Sequence, residues 1–351
     1  MNPRPHILML GQYPLETLDS APKIRTWFLW KALEQIAEVT FVTGTRKSRR
    51  APLIKLIRQG NLKKFDAVYL EAATSTSMEI DLLLLFLLKS AKIPIGIYIR
   101  DAYPLFGLSP VTNLKELLLN WAWYISQWFY RQVADILFFP TQSLADCFDF
   151  KNKQLLPPAS QTNLVKSIYQ GPFDTLFFAG NLNQENGWSF LKETMEKIYR
   201  VQPSIRLLAL TPTQLEDNYP WLEIRRGVLK DILDDLPRIA AALIPRPQTA
   251  YNNLAIPVKL MDYFSLGLPV ISTPCLETAK IIVDNNLGIV SAPNEFDKAS
   301  LYLIQDRDKR NEISSNIIQN FLSSNSWDKR ASDLLSILLQ TQDRFSSKRM
   351  D

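Results

Sequence analysis

Short runs in which every position is apolar alternate with longer segments of helical spacing along almost the whole chain, with polar turns between them. Runs that are apolar throughout belong to strands buried on both faces, as in a parallel sheet covered by helices. His6 to Leu10 is such a run, ending at Gly11. Apolar positions then recur at helical spacing from Lys23 to Ala37, and Val39 to Thr43 is a second strand. The alternation continues with a helix over Leu53 to Gln59, a strand over Ala67 to Leu70, a helix over Ile80 to Ser90 and a strand over Ile95 to Ile99. Leu114 to Val133 predicts a long helix, Ala134 to Pro140 a strand and Ser143 to Phe148 a short helix. Asp149 to Ser160 is polar and carries a Pro-Pro pair, so a linker is expected between Asp149 and Ser167.

The pattern then restarts. Leu176 to Ala179 is a strand ending at Gly180, and the loop GNLNQENGW leads into a helix over Ser189 to Val201. Strands over Ile205 to Leu210 and Leu222 to Arg225 follow, then a helix over Leu229 to Pro237 and a strand over Ala240 to Pro245. After the stretch Tyr251 to Ser272 come a helix over Glu277 to Asn285 and a strand over Gly288 to Ser291. Two βα alternations in tandem predict an α/β protein of two Rossmann-like halves. Helices over Asp297 to Gln305, Arg307 to Ser323 and Trp327 to Leu339 close the chain, and the polar tail QTQDRFSSKRMD is expected to fray.

The stretch YNNLAIPVKLMDYFSLGLPVIS carries the candidate chemistry. Pro257 suits the first turn of a helix, Gly267 can end that helix in a left-handed turn, and Leu268 to Ser272 follows as a short buried strand. A polar loop brings Asn252 and Asn253 to the helix N-terminus, where free N–H groups and the macrodipole favour an anion. Lys259 and Asp262 share one face of the helix. A cation and a carboxylate so placed suit a nucleotide diphosphate, Lys on phosphate and Asp accepting from sugar hydroxyls; a solvated surface pair is the plainer alternative. In the first half, Ile95 to Ile99 runs into Arg100 and Asp101, beyond the carboxyl end of a strand, where ligands of open parallel sheets bind. Those two residues can equally pair with each other. The loop after the first strand has a single glycine and no G-x-G-x-x-G, which argues against a dinucleotide-dependent dehydrogenase.

With 351 residues, 46% hydrophobic and 21% charged, the chain is globular and long enough for two domains. A formal charge of +5 with scattered Lys and Arg fits anionic small molecules or acidic lipid surfaces better than nucleic acid. The cluster Arg46, Lys47, Arg49, Arg50 is expected to be a solvated loop. Cys147 and Cys275 are expected to be two buried thiols in a reducing compartment. The stretch MNPRPHILMLGQYP has no basic-then-apolar signal, and Leu82 to Leu88 is far shorter than the ~20 residues that span a bilayer. A cytoplasmic protein, peripheral to the inner face of a membrane, is therefore expected. Within 114–133, Trp121, Trp123, Tyr124, Trp128, Phe129 and Tyr130 accompany Lys115 and Arg131. A helix so rich in aromatics either lies in a bilayer interface or is buried in the core.

Four stretches resemble glycosyltransferases of the GT-B type, in particular the nucleotide-sugar-dependent group 1, or family 4-like, enzymes. FDTLFFAGNLNQENGW resembles the opening strand and glycine loop of their C-terminal domain, and AIPVKLMDYFSLGLPVIST their nucleotide-sugar segment. ADILFFPTQSLADCF resembles the end of their N-terminal domain, and NSWDKRASDLLSIL the terminal helix that crosses back. The resemblance implies two Rossmann-like domains facing across a cleft: an acceptor domain over 1–158, a donor domain over 159–325, and a crossing helix with tail over 326–351. Asp262 then falls on the second glutamate of the family's pair, assigned to the ribose, and Lys259 on the diphosphate. Gly180 and Asn181 would bring backbone to the phosphates, with Arg246 as a further cation. The first glutamate of the pair falls at Leu254, where Asn252 or Asn253 would have to substitute, and Arg100 stands where relatives carry a histidine.

By that resemblance the chain transfers a sugar from a nucleotide-diphosphate donor to a saccharide or lipid-linked acceptor, without an obligatory metal or other cofactor. Asp101 would contact the acceptor or act as general base. A non-catalytic GT-B-like protein that binds a glycan, lipid or partner is the alternative, and a nucleotide-sugar epimerase is a third.

Overall fold

The computed structural model describes residues 4–73, 79–109, 111–165 and 167–347. The chain divides into two compact units, Met1–Pro158 with Trp327–Asp351, and Ala159–Ser326.

The first unit contains β1 (His6–Gly11), α1 (Ala21–Ile36), β2 (Glu38–Thr43), α2 (Arg46–Gln59), β3 (Ala67–Glu71), α3 (Glu79–Ser90), β4 (Ile95–Tyr98), α4 (Leu114–Val133), β5 (Ile136–Phe139), α5 (Gln142–Asp146) and β6 (Lys153–Leu155). The strands form one parallel sheet in the order β2-β1-β3-β4-β5-β6. Residues of β3, β4 and β5 are buried at every position, which is why these strands read as apolar runs, apart from Glu71 at the end of β3. The step from β1 to β2 runs one way along the sheet and the later steps run the other. Right-handed crossovers therefore put α1 on one face and α2, α3 and α4 on the opposite face. Packing agrees, since α2 lies against α3 and α3 against α4.

Several local expectations change. The cluster at Arg46 to Arg50 is no loop: α2 starts at Arg46, with the Thr45 side chain accepting from Ser48 N–H as its cap. Pro52 lies inside this helix and had hidden its first turns. Arg49 is buried and makes two hydrogen bonds to Asp81 of α3, at 2.8 and 3.1 Å. The linker region contains the edge strand β6. Cys147 is exposed, because it ends the five-residue α5, whereas Cys275 is buried.

The second unit contains β7 (Thr175–Ala179), α6 (Trp188–Val201), β8 (Arg206–Leu210), β9 (Leu222–Arg225), a 3-10 segment over Leu229–Arg238, β10 (Ile239–Ile244), α7 (Val258–Ser265), β11 (Val270–Ser272), α8 (Leu276–Asp284), β12 (Gly288–Val290), α9 (Phe296–Gln305) and α10 (Arg307–Asn316). A π turn over Ile317–Phe321 and the short α11 (Leu322–Ser324) complete it. Its parallel sheet has the order β12-β11-β10-β7-β8-β9, so strand order reverses between β7 and β10. That reversal opens a crevice beyond the carboxyl ends of β7 and β10.

The last described element is α12 (Trp327–Ser347), which belongs to the first unit and packs on α1. Helix therefore extends through much of the stretch expected to fray. Trp327 stacks on Phe28 at 6.0 Å, and Arg330 Nε donates to the Pro157 carbonyl at 3.2 Å. His6 is structural: its Nε2 lies 2.8 Å from Thr40 Oγ1 and its ring meets the edge of Phe65.

Candidate functional site

The crevice of the second unit is built by α7 and the loops that follow β7 and β10. Pro257 precedes α7 with ψ 132°, and no side chain caps the helix there. At the other end Gly267 N–H bonds to the Phe264 carbonyl and Leu268 N–H to the Tyr263 carbonyl, closing the helix just before β11. Tyr263 braces the switch point: its hydroxyl accepts from Ala179 N–H at 2.9 Å and donates to the Leu243 carbonyl at 3.2 Å. One side chain thereby joins the ends of β7 and β10, and α7 is fixed between them.

Lys259 stands over this junction. Its ammonium is 4.3 Å from the centre of the Phe178 ring and donates to Asn186 Oδ1 at 3.0 Å. A Cβ added at Gly180 would come within 3.2 Å of it, so glycine is what lets the lysine lie across the backbone. Asn186 is held in turn, its amide donating to Asn183 Oδ1 and to the Asn181 carbonyl. Gly187, which opens α6, has φ 80°, and a Cβ there would lie 1.8 Å from the Pro245 carbonyl oxygen. The loops after β7 and β10 therefore approach as closely as backbone can.

Burial and then the charge of Arg246 push the Lys259 pKa down to about 7, against the opposing pull of Asp262. Burial raises the Asp262 pKa to about 7, and Lys259 only partly offsets it. Among the described residues no ion pair joins the two. Each is an ionisable group buried where its charged form is costly.

Arg246 follows β10, and its guanidinium donates to Asn252 Oδ1 at 2.6 Å. Asn252 also donates to the Pro247 carbonyl at 2.8 Å, and Thr273 Oγ1 donates to the Arg246 carbonyl at 2.6 Å. Asn253 turns away toward α8, accepting from Leu276 N–H at 3.2 Å. Asn252 thus positions Arg246, Asn253 fastens the loop to α8, and Leu254 sits half-buried in the turn between them and α7. A cleft of about 220 Å³ opens beside Arg246, between Gly187, Phe190, Pro247 and Pro274.

Arg100 and Asp101 lie in the other unit, after β4. Arg100 Nε donates to Asp101, and its guanidinium lies 5.4 Å from the centre of the Tyr13 ring. Burial works against the charge of Arg100, but Asp101 and Tyr13 outweigh it and hold the guanidinium above its ordinary pKa. The candidate residues therefore form two clusters, one in each unit. Nearby, Arg25 of α1 bonds to Glu71 at 3.0 Å and lies 3.7 Å from the centre of the Tyr98 ring, a buried group the sequence did not announce. In sequence Arg25 stands between Lys23-Ile24 and Thr26-Trp27, a mixed stretch in which nothing marks it as an inward cation.

Among the described residues, no group of three or more His, Cys, Asp or Glu could hold a metal ion. The D-x-D triplet Asp306-Arg307-Asp308 starts α10, where Asp306 accepts from Lys309 N–H as a helix cap.

The sequence matches no family model and no curated protein. Solved structures resemble it over nearly their whole length. An α,α-trehalose-phosphate synthase (UDP-forming) from Burkholderia vietnamiensis superimposes with a TM-score of 0.62 at 10% identity, over 95% of this chain and 99% of that one. WaaG, a glycosyltransferase involved in lipopolysaccharide biosynthesis, gives 0.61 at 13% identity, over 94% and 99%. An E. coli structure described as trehalose-6-phosphate bound with UDP-2-fluoro glucose gives 0.59 at 9% identity, over 95% and 99%. At such identities the likeness is one of fold, and the fold class is that of the GT-B proteins.

Proposed function

We propose that this chain is a glycosyltransferase that moves a sugar from a nucleotide-diphosphate donor to a hydroxyl of a saccharide or lipid-linked acceptor, in the synthesis of a cell-surface polysaccharide or glycolipid. The observation that carries the reading is Lys259, an ammonium fixed over Gly180 and Phe178 by Asn186, whose pKa burial and then the charge of Arg246 lower to about 7. When the bond from the anomeric carbon to the diphosphate breaks, negative charge accumulates on the departing oxygens. Cations already in place there stabilise the transition state more than the bound donor.

In this reading Lys259 and Arg246 contact the diphosphate, and the backbone of Gly180 and Asn181 approaches it. Asp262 accepts from the ribose hydroxyls. Asn252 holds Arg246, while Asn253 shapes the loop. The unit Ala159–Ser326 is the donor domain and the other unit the acceptor domain. There Asp101 contacts the acceptor, or serves as general base if configuration inverts, with Arg100 orienting it. No step calls for a metal. The fold likeness to a UDP-forming synthase and to a lipopolysaccharide glycosyltransferase supports the donor class.

A second reading rests on Leu254, an apolar side chain where the resemblance puts a glutamate: a GT-B-like protein that binds donor or glycan without turnover. Calorimetric titration with UDP, GDP and their sugars tests the site. Wild type is expected to bind one nucleotide, and Lys259→Ala to weaken binding at least about tenfold, as loss of a charge-assisted phosphate contact does. Unchanged binding in that variant would remove Lys259 from the site. Slow sugar release from the donor, abolished by Asp262→Ala, separates the enzyme from the binding protein.

A further inference from the structure

Helix α4 is apolar on two opposite faces. Trp123, Ser126, Gln127, Tyr130 and Val133 point into the first unit and are buried. Half a turn away, Leu114, Leu118, Trp121, Ile125 and Trp128 form a stripe at alternating spacings of four and three, and they are 70%, 60%, 63%, 56% and 61% exposed. An ordinary covering helix would show charge there. Here the helix has only Lys115, Glu116 and Arg131, and Glu116 is engaged by Thr112 and the Asn113 cap. The neighbouring α3 adds Leu83 and Phe86, 47% and 56% exposed, on the same outward side. The 3-10 turn before α4 adds Leu105 and lies against the helix, with Tyr124 Oη donating to the Pro104 carbonyl at 3.5 Å.

Next in the same helical layer is α2, with six cations and no carboxylate. Arg49 alone turns inward to Asp81; Arg46, Lys47, Arg50, Lys55 and Arg58 are exposed, and Lys63 and Lys64 follow. One side of the first unit thus runs from basic on α2 to apolar and aromatic on α4. Large exposed apolar patches mark docking surfaces, and tryptophan is favoured at the boundary between headgroups and acyl chains. No helix among the described residues is long and apolar enough to cross a membrane. A helix of this kind lies in the interface plane instead.

We propose that the outward face of α2, α3 and α4 docks on an anionic bilayer, with the Leu114 to Trp128 stripe inserted at the headgroup boundary and the α2 cations over lipid phosphates. The charge of α2 selects this occupant over a second copy, because lipid phosphates meet its cations whereas α2 itself carries no carboxylate with which a second copy could meet them. The surface stands independently of the sugar-transfer reading, though it suits a lipid-linked acceptor.

Sedimentation of the full chain with phosphatidylcholine vesicles, with and without phosphatidylglycerol, tests it. The protein is expected to pellet with the mixed vesicles and far less with the neutral ones. Trp121→Ser with Trp128→Ser should lower the partition coefficient at least about tenfold, and Lys47→Glu with Lys55→Glu by a similar factor on anionic vesicles only. Thermal melts verify that both variants fold, and unaltered nucleotide titrations separate this surface from the donor site. Absence of vesicle binding by wild type, or binding unaffected by either pair, overturns the proposal. So does a lipid-free dimer, seen by sedimentation velocity, that the tryptophan pair dissociates while vesicles capture nothing.

Discussion

Lys259 and Asp262 tie stability to ligand binding at the level of single residues. Lys259 has its pKa lowered to about 7, so between that value and the ordinary lysine value the unfolded chain holds more protons and stability rises with pH. Asp262 has its pKa raised to about 7, so from the ordinary carboxylate value up to that point the folded chain holds the extra proton and stability falls with pH. Their joint contribution is least favourable near neutrality. Lys259→Met should therefore raise the stability of the ligand-free protein on the order of 1 kcal/mol at pH 7, roughly 2–4 °C in Tm, and the gain should vanish above the ordinary lysine pKa. The same variant should lose nucleotide binding. A diphosphate beside the ammonium raises its pKa again, so binding at pH 8 should take up close to one proton. Titrations in buffers of different ionisation enthalpy measure that uptake. Lowered stability in the variant together with zero proton uptake would remove Lys259 from the phosphate site.

At the scale of elements, the site depends on how closely the loops after β7 and β10 approach. Gly187→Ala would place a Cβ 1.8 Å from the Pro245 carbonyl, at a positive φ. The backbone of one loop would have to move, at a cost of roughly 3 kcal/mol or more, and urea unfolding should register it. Lys259 would also lose register with Asn186, so nucleotide binding should weaken in parallel. The strands other than β6, and α7, were legible in the sequence because each has one strong period or apolar run with a turn residue near its end, whereas β6 lay in a polar stretch read as linker. The start of α2 was not, since Pro52 and a run of cations imitate a loop. Asn186 was invisible as the partner of Lys259, because the two meet only once β7 and α7 are side by side. Tyr263 looks like core in sequence, and its ring is core. Only its hydroxyl, reaching two strands that are adjacent at the switch point, makes it a brace. Asn252 was legible as part of the loop, but its bond to Arg246 required the fold.

At the scale of the whole molecule, the chain is asymmetric: Ala159–Ser326 is one continuous stretch, whereas the other unit needs both ends of the sequence. The return of α12 supplies buried Trp327, Leu334 and Leu338, which are 7%, 0% and 1% exposed. Burying a large apolar side chain is worth roughly 1.5–3 kcal/mol, so these three amount to roughly 5–9 kcal/mol. That is comparable with the ~5–15 kcal/mol net stability of an entire domain. Polar groups compound the effect, since the Pro157 carbonyl accepts from Arg330 and the Arg25 guanidinium lies 5.9 Å from the centre of the Trp327 ring. A chain ended at Ser326 should therefore lose the folded first unit and keep the second. Calorimetry of that truncation should give one cooperative transition, and the isolated stretch 159–326 should melt at the same temperature. The stretch holds Lys259, Asn186, Arg246 and Asp262 together, so it should also retain nucleotide binding while losing any transfer to acceptor. Two transitions in the truncated chain would mean that the first sheet closes its core without α12, and binding absent from a folded 159–326 would mean that the nucleotide needs residues beyond this unit.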